Sequence, residues 1–280
     1  MKKYAKELAE VERAIRALPR AKRPEMWMAK NYVGAGESKF EFLDLTVPTL
    51  DARLRKGFSF TALPVSEQWP IWDFVFRNSP TFEVVTAAFA FADRFKAVDL
   101  APHGHRLVAW VERSDNWATS DGLSSFYARL LEHDRAQWLP LLAKWAESPN
   151  PWKRRQSLVS LLYYSRGRDP KRILPFAKLR AFIERHLDDP HYYVQKGVGW
   201  AIRETYNVYP RETVAWLRKR IGRIAAPAWQ AATEKLPPAT KVELKASRKV
   251  ELKERRKTEL KTIRKVSSKH TKSAARRTSR

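Results

Sequence analysis

The chain of 280 residues contains no cysteine. That excludes a disulfide framework and any zinc site built on thiolates, and it fits a reducing cytosol. Long apolar runs are also missing, so no segment reads as a membrane span. The N-terminal stretch MKKYAKELAEVERAIRAL starts basic but carries charges throughout, with no apolar core of a secretory signal. The expected location is therefore cytoplasmic. No segment reads as a convincing run of strands. FEFLDLTV (40–47) alternates briefly, but it leads straight into PTLDARLRKG, whose proline suits the first position of a helix. It is expected to be a loop.

Acidic residues are few against the basic ones, 30 against 55, leaving a formal charge of +25. Between Lys241 and Arg280 sixteen Lys/Arg face four Glu, so this short end carries +12 and the remainder a further +13. Both parts call for a polyanion, nucleic acid first and an anionic membrane surface second.

What fills the chain is helical periodicity. Apolar stripes of about 10–17 residues alternate with breakers such as NSP (78–80), SPNP (148–151), RGRDP (166–170) and DDP (188–190). Three segments share a rough plan: SPTFEVVTAAFAFADRF, NPWKRRQSLVSLL and DPHYYVQKGVGWAI. Degenerate repeats of this kind predict an all-α fold, an α-solenoid of HEAT-like helical repeats over residues 1–235. Residues 236–280 read as a separate basic arm. Within it VELKASRK, VELKERRK and TELKTIRK are tandem copies of an eight-residue unit. With few apolar residues and no aromatics it cannot build a core, so it is expected to be disordered or transiently helical and to touch DNA.

Three helices carry residues that do not belong on a core stripe. In SDNWATSDGLSS (114–125) the residues before Trp117 are helix-capping types. At 100° per residue Trp117, Asp121, Ser124 and Ala128 share a stripe away from Leu123, Phe126, Tyr127, Leu130 and Leu131, which leaves room beside the carboxylate. In the helix from Trp152, Arg155 projects into the apolar stripe and Arg154 borders it. A partly desolvated arginine needs an anion there, an aspartate or a phosphate. In the helix from Tyr192, Trp200 lies opposite the core stripe with Tyr193, Lys196 and Arg203, flanked by Gly197 and Gly199. An aromatic among cations is the pattern of a nucleic-acid surface.

The same segments carry a family resemblance. NWATSD (116–121), NPWKRRQSLVSLLYY (150–164) and YYVQKGVGWAIRE (192–204) resemble the signature segments of the AlkD-like DNA alkylation repair glycosylases, and weaker similarity extends over about residues 20–225. The resemblance implies a HEAT-like solenoid that holds duplex DNA as a monomer. It implies excision of cationic alkylated purines such as 3-methyladenine and 7-methylguanine, with no cofactor and no metal, at the nucleoid of a bacterial cytoplasm. It places the catalytic carboxylate on Asp121, site tryptophans on Trp117 and Trp200, and a DNA-contacting arginine on Arg155. Arg154, Tyr193, Lys196 and Arg203 are expected to line the DNA. The chain departs from the family where Asn116 precedes Trp117 and Ala118 follows it, positions at which relatives often carry a second tryptophan and a second acid.

Other signals carry less. GAGESK (34–39) lacks the Gly-Lys-Ser/Thr ending of a phosphate-binding loop and suits a glycine-terminated helix end. His103 and His105 have no third ligand close in sequence. GLSSF is not a nucleophile elbow. The rival class is a non-catalytic HEAT-like scaffold, which would keep the basic face and the arm but would not need Asp121 beside Trp117.

Overall fold

The computed structural model describes residues 3–33 and 37–277, with side chains described through Thr258 and at Leu260. The helices are α1 (Ala5–Arg16), α2 (Ala29–Tyr32), α3 (Val47–Leu54), α4 (Val65–Asn78), α5 (Phe82–Asp93), α6 (Ala97–Leu100), α7 (Gly104–Trp110), α8 (Trp117–His133), α9 (Arg135–Trp145), α10 (Pro151–Val159), α11 (Phe176–Arg185), α12 (Tyr192–Val208), α13 (Pro210–Arg220), α14 (Ala226–Ala232) and α15 (Pro238–Arg277). Among the described residues the only β feature is an isolated bridge between Glu41 and Thr81. The fold class is the one expected, all-α, with helices paired as in the repeats of an α-solenoid. The helix end expected at Gly34 lies outside the described residues. The chain divides into two compact units, residues 1–182 and 183–280.

Local chemistry sets the helix starts. Thr46 Oγ1 accepts from the Thr49 amide at 3.2 Å, and Pro48 sits at the second position of α3, one later than the sequence predicts. Asn116 caps α8 by accepting from the Thr119 amide at 2.9 Å. Asn150 caps α10, with Pro151 at its first position. In all three segments that share a plan the side chain before the proline accepts from the amide two residues on: Ser79 from Thr81 at 3.0 Å, Asn150 from Trp152 at 2.9 Å and Asp189 from His191 at 2.9 Å.

In the first unit α4 packs on α5, and α8 packs on α6, α9 and α10. The core is aromatic. Trp110 stacks on Phe76 at 4.2 Å between ring centroids, and Trp69 stacks on His103 at the same separation. Trp69 and Trp110 are fully buried, worth about 1.5–3 kcal/mol each for a large apolar side chain. Trp110 Nε1 donates to Asp73 at 2.8 Å, and Arg106 pairs with the same carboxylate, so this buried acid is satisfied. His103 is thus a packing residue against Trp69. Among the described residues no cluster of three His, Asp or Glu side chains could hold a metal ion. No helix of the described residues is long and apolar enough to cross a membrane.

The second unit is organised by α12 lying against α14. Gly199 makes this possible. A Cβ at that position would stand 2.3 Å from the carbonyl oxygen of Ala228, closer than any side chain permits. Gly199 therefore sets a backbone-to-backbone approach of two helices.

The basic arm is carried as helix α15, and its first turns belong to the second unit. Leu244 is fully buried. Arg218 pairs with Glu243 at 2.9 Å, Arg248 donates to the carbonyl of Ile224 at 2.8 Å, and Glu251 accepts from the amide of Gly222 at 2.8 Å. One buried leucine and backbone-directed polar bonds hold it, a mode of docking that apolar patterning does not reveal.

Candidate active site

Asp121 lies one turn after Trp117 on α8, so the two side chains share a face. The carboxylate is 25% exposed and its Oδ1 accepts from Nη2 of Arg155 at 2.6 Å. Arg155 projects from α10 and is itself 4% exposed. Its Nε donates to Ser120 Oγ at 3.2 Å. The anion that the sequence required for this buried arginine is thus Asp121. The arginine that the sequence assigns to a DNA phosphate is thus engaged by a carboxylate of the protein and is nearly out of solvent.

The seam beneath is polar and closed. Gln156 Nε2 donates to the Ser120 carbonyl at 2.7 Å, and Ser124 Oγ donates to Gln156 Oε1 at 2.7 Å. Ser124 and Ala128 are buried. The stripe that the helical wheel left open is therefore a second core face, covered by neighbouring helices. Only its N-terminal end, with Trp117 and Asp121, comes to the surface. The small residues admit Arg155 and Gln156 rather than a substrate.

Around that end stand aromatics from three stretches of chain. Trp117 is half-buried, and its Nε1 donates to the carbonyl of Tyr32 at 3.0 Å. The Tyr32 ring meets it edge-on at 5.5 Å and contacts Trp27 at 5.3 Å. Tyr32 and Trp27 are both exposed. Tyr163 lies where burial, and then the charge of Asp121, push its phenol above the ordinary range. Next to it Tyr164 has φ of 49°, a left-handed backbone that a bulky residue rarely adopts, and its side chain is exposed. Tyr32, Trp27 and Ser120 were missed in the sequence. Ser120 reads there as a small filler, and MWMAKNY (26–32) as an ordinary short helix.

The remaining predicted residues separate by what engages them. Arg154 donates to the carbonyls of Ser148 and Pro149 at 2.9 and 3.0 Å. In the second unit Trp200 is half-buried with the guanidinium of Arg203 5.4 Å from its ring centroid. Arg203 also bonds Glu204 and Glu234, each at 3.0 Å. Its charge is matched by carboxylates, so it acts on the Trp200 face more than as a free cation. Lys196 and Tyr193, on the same helix, are half-buried. Ala118 leaves Asp121 as the one acid in NWATSD.

Residues 14–236 match the family model of the DNA alkylation repair enzymes. The chain belongs to that family. A solved structure described as a predicted DNA alkylation repair enzyme from Enterococcus faecalis is similar in fold, with a TM-score of 0.58 and 17% identity. The match covers 79% of this chain and all of the other. No curated protein sequence matches the chain. The family match ends just ahead of α15, which is thus an addition to the shared domain.

Proposed function

We propose that this family member is a DNA glycosylase, cleaving the N-glycosidic bond of cationic alkylated purines such as 3-methyladenine and 7-methylguanine in duplex DNA. The observation that carries the proposal is a part-exposed carboxylate held from beneath by a buried arginine and set one turn from a tryptophan face. A ring-alkylated purine already carries positive charge. It leaves with the electron pair of the C1′–N bond as a neutral base, so no general acid is required. Positive charge develops on the deoxyribose instead, as in glycoside hydrolysis. Asp121 stabilises that charge and orients the water whose oxygen bonds to C1′ and which gives up a proton. A preplaced group of this kind contributes about 3–4 kcal/mol.

Arg155 acts through Asp121. The pairing fixes the direction of the carboxylate, so the arginine is a positioning residue. Trp117 supplies an indole wall beside the sugar, and a cation over such a face gains about 0.5–2 kcal/mol. By family resemblance Trp200, steadied by Arg203, is a site tryptophan. Tyr193, Lys196 and Arg154 serve the DNA backbone. The ion pair also fits the rival reading, a non-catalytic DNA-binding member in which Asp121 merely neutralises Arg155. One assay separates the two: release of free alkylpurine from methylated duplex by the wild type and by Asp121→Asn. Release that the variant lacks supports the glycosylase; no release by the wild type supports the scaffold.

A further inference from the structure

The docked part of α15 presents a face that the family domain does not account for. At 100° per residue, with Lys241 at zero, the docked residues Leu244, Arg248, Glu251 and Arg255 fall within about 280–340°. Lys245, Arg256, Lys249 and Lys253 fall within about 40–120°, on the outward side. All four are exposed, and none has an ion-pair partner among the described residues. Successive lysines stand about 6 Å apart along the axis.

The outward stripe runs into a cleft of about 610 Å³ between residues 222–226 and α15. Arg223, Arg248, Arg255 and Arg256 line it together with Asp188 and Asp189. Asp188 neutralises Arg223. Arg248 and Arg255 instead bond backbone carbonyls, of Ile224 and Gly222, and neither has an ion-pair partner among the described residues. The Nε of Arg248 is buried with no acceptor, and burial pulls its guanidinium below the ordinary range. Such an arrangement is costly unless an anion is supplied.

We propose that residues 241–258 of α15 form a fixed binding face for a nucleic-acid sugar–phosphate backbone, with the arginine cleft receiving a phosphate and Lys245, Lys249 and Lys253 tracking the strand. The partner is duplex DNA, which rests on the family's substrate but not on the glycosylase reaction. A regularly spaced cationic stripe fits a polymer whose charges repeat every few ångström. A membrane surface fits less well. An interfacial helix needs one continuous apolar face, and here Val242, Val250 and Leu252 point in different directions while Leu244 is buried in the protein. The arm is therefore a rail built onto the second unit, placing extra phosphate contacts at a set position, rather than a loose tether.

Deleting the arm would remove Leu244 and uncover residues 221–224, so charge neutralisation at exposed positions is the cleaner test. In the full-length chain, Lys245, Lys249, Lys253 and Arg256 are changed together to Gln, and affinity for an undamaged duplex is measured against salt. The slope of log affinity on log salt should flatten by about 3–4, since each phosphate contact contributes about 0.9, and alkylpurine release at saturating enzyme should not change. Three results would overturn the proposal. One is an unchanged slope. Another is an equal flattening when Lys6, Lys22, Lys56 and Lys96 are neutralised instead. The third is loss of binding to phosphatidylglycerol vesicles with duplex binding intact, which would assign the face to a membrane. Loss of release with an unchanged slope in Asp121→Asn separates failure at the reaction site from failure of this face.

Discussion

Arg155 grips Asp121 at 2.6 Å from a position almost wholly out of solvent, while the carboxylate keeps a quarter of its surface exposed. The asymmetry defines what each substitution removes. Asp121→Asn retains an oxygen acceptor for Arg155 and loses only the charge. Alkylpurine release should fall by about 100-fold or more, while duplex affinity holds or rises. Equal activity in the variant would remove Asp121 from the mechanism.

Arg155→Met leaves the carboxylate without its partner but in contact with water. Breaking a buried pair costs about 3–5 kcal/mol, and Asp121's exposure puts this case toward the lower end. The discriminating readout is a split between binding and chemistry. If Arg155 orients Asp121, single-turnover excision falls in the variant while duplex affinity holds, and Arg155→Lys recovers part of the rate. A melting temperature that drops with an unchanged single-turnover rate would leave Arg155 a purely structural role.

Trp117 is held by its Nε1–H to the Tyr32 carbonyl and by the edge of the Tyr32 ring. Trp117→Phe keeps a π-face but loses the hydrogen bond, and Trp117→Ala loses both. Excision should decline in that order, the alanine variant by about 2- to 30-fold, the range of about 0.5–2 kcal/mol for a cation–π contact. Single-turnover rates on methylated duplex check it. Equal rates in both variants would mean that the indole only packs.

Helix placement was legible because period and breakers carry it: α8 and α12 begin at Trp117 and Tyr192 as the sequence predicts. The Asp121–Arg155 contact was half legible, since a buried arginine announces its need for an anion but not which one. The reason for Gly199 was not legible, because it lies in the approach of Ala228 from a helix nearly thirty residues on. The docking of α15 was hidden for a related cause. It rests on bonds to backbone groups at 222–224, and those have no signature in the composition of the arm.

Gly199→Ala tests that close approach. The added methyl meets a backbone carbonyl at 2.3 Å, which cannot rotate away as a side chain can. Overpacking of a tight site costs about 1–3 kcal/mol, and this contact belongs at the upper end although alanine favours helices by up to about 1 kcal/mol. Chemical denaturation should show a clear loss of stability, with the second unit affected first. A neutral or stabilising effect would mean that α12 and α14 are further apart than described.

His103 offers a pH test of the first unit's core. Its ring stacks on Trp69 at 4.2 Å, and burial, then the nearby positive charge of Arg106, lower its proton affinity. The folded protein therefore binds this proton less readily than the unfolded chain. Stability from the group is present above the ordinary histidine range, near pH 6.5, and is lost as pH falls below it. His103→Phe keeps the stacked ring without the titration. The stability difference between wild type and variant, measured by denaturant melts from pH 7.5 to 5, should shift steadily toward the variant as pH falls. A difference that stays flat across that window would show that the imidazole is solvated and that its stacking on Trp69 contributes nothing to pH sensitivity.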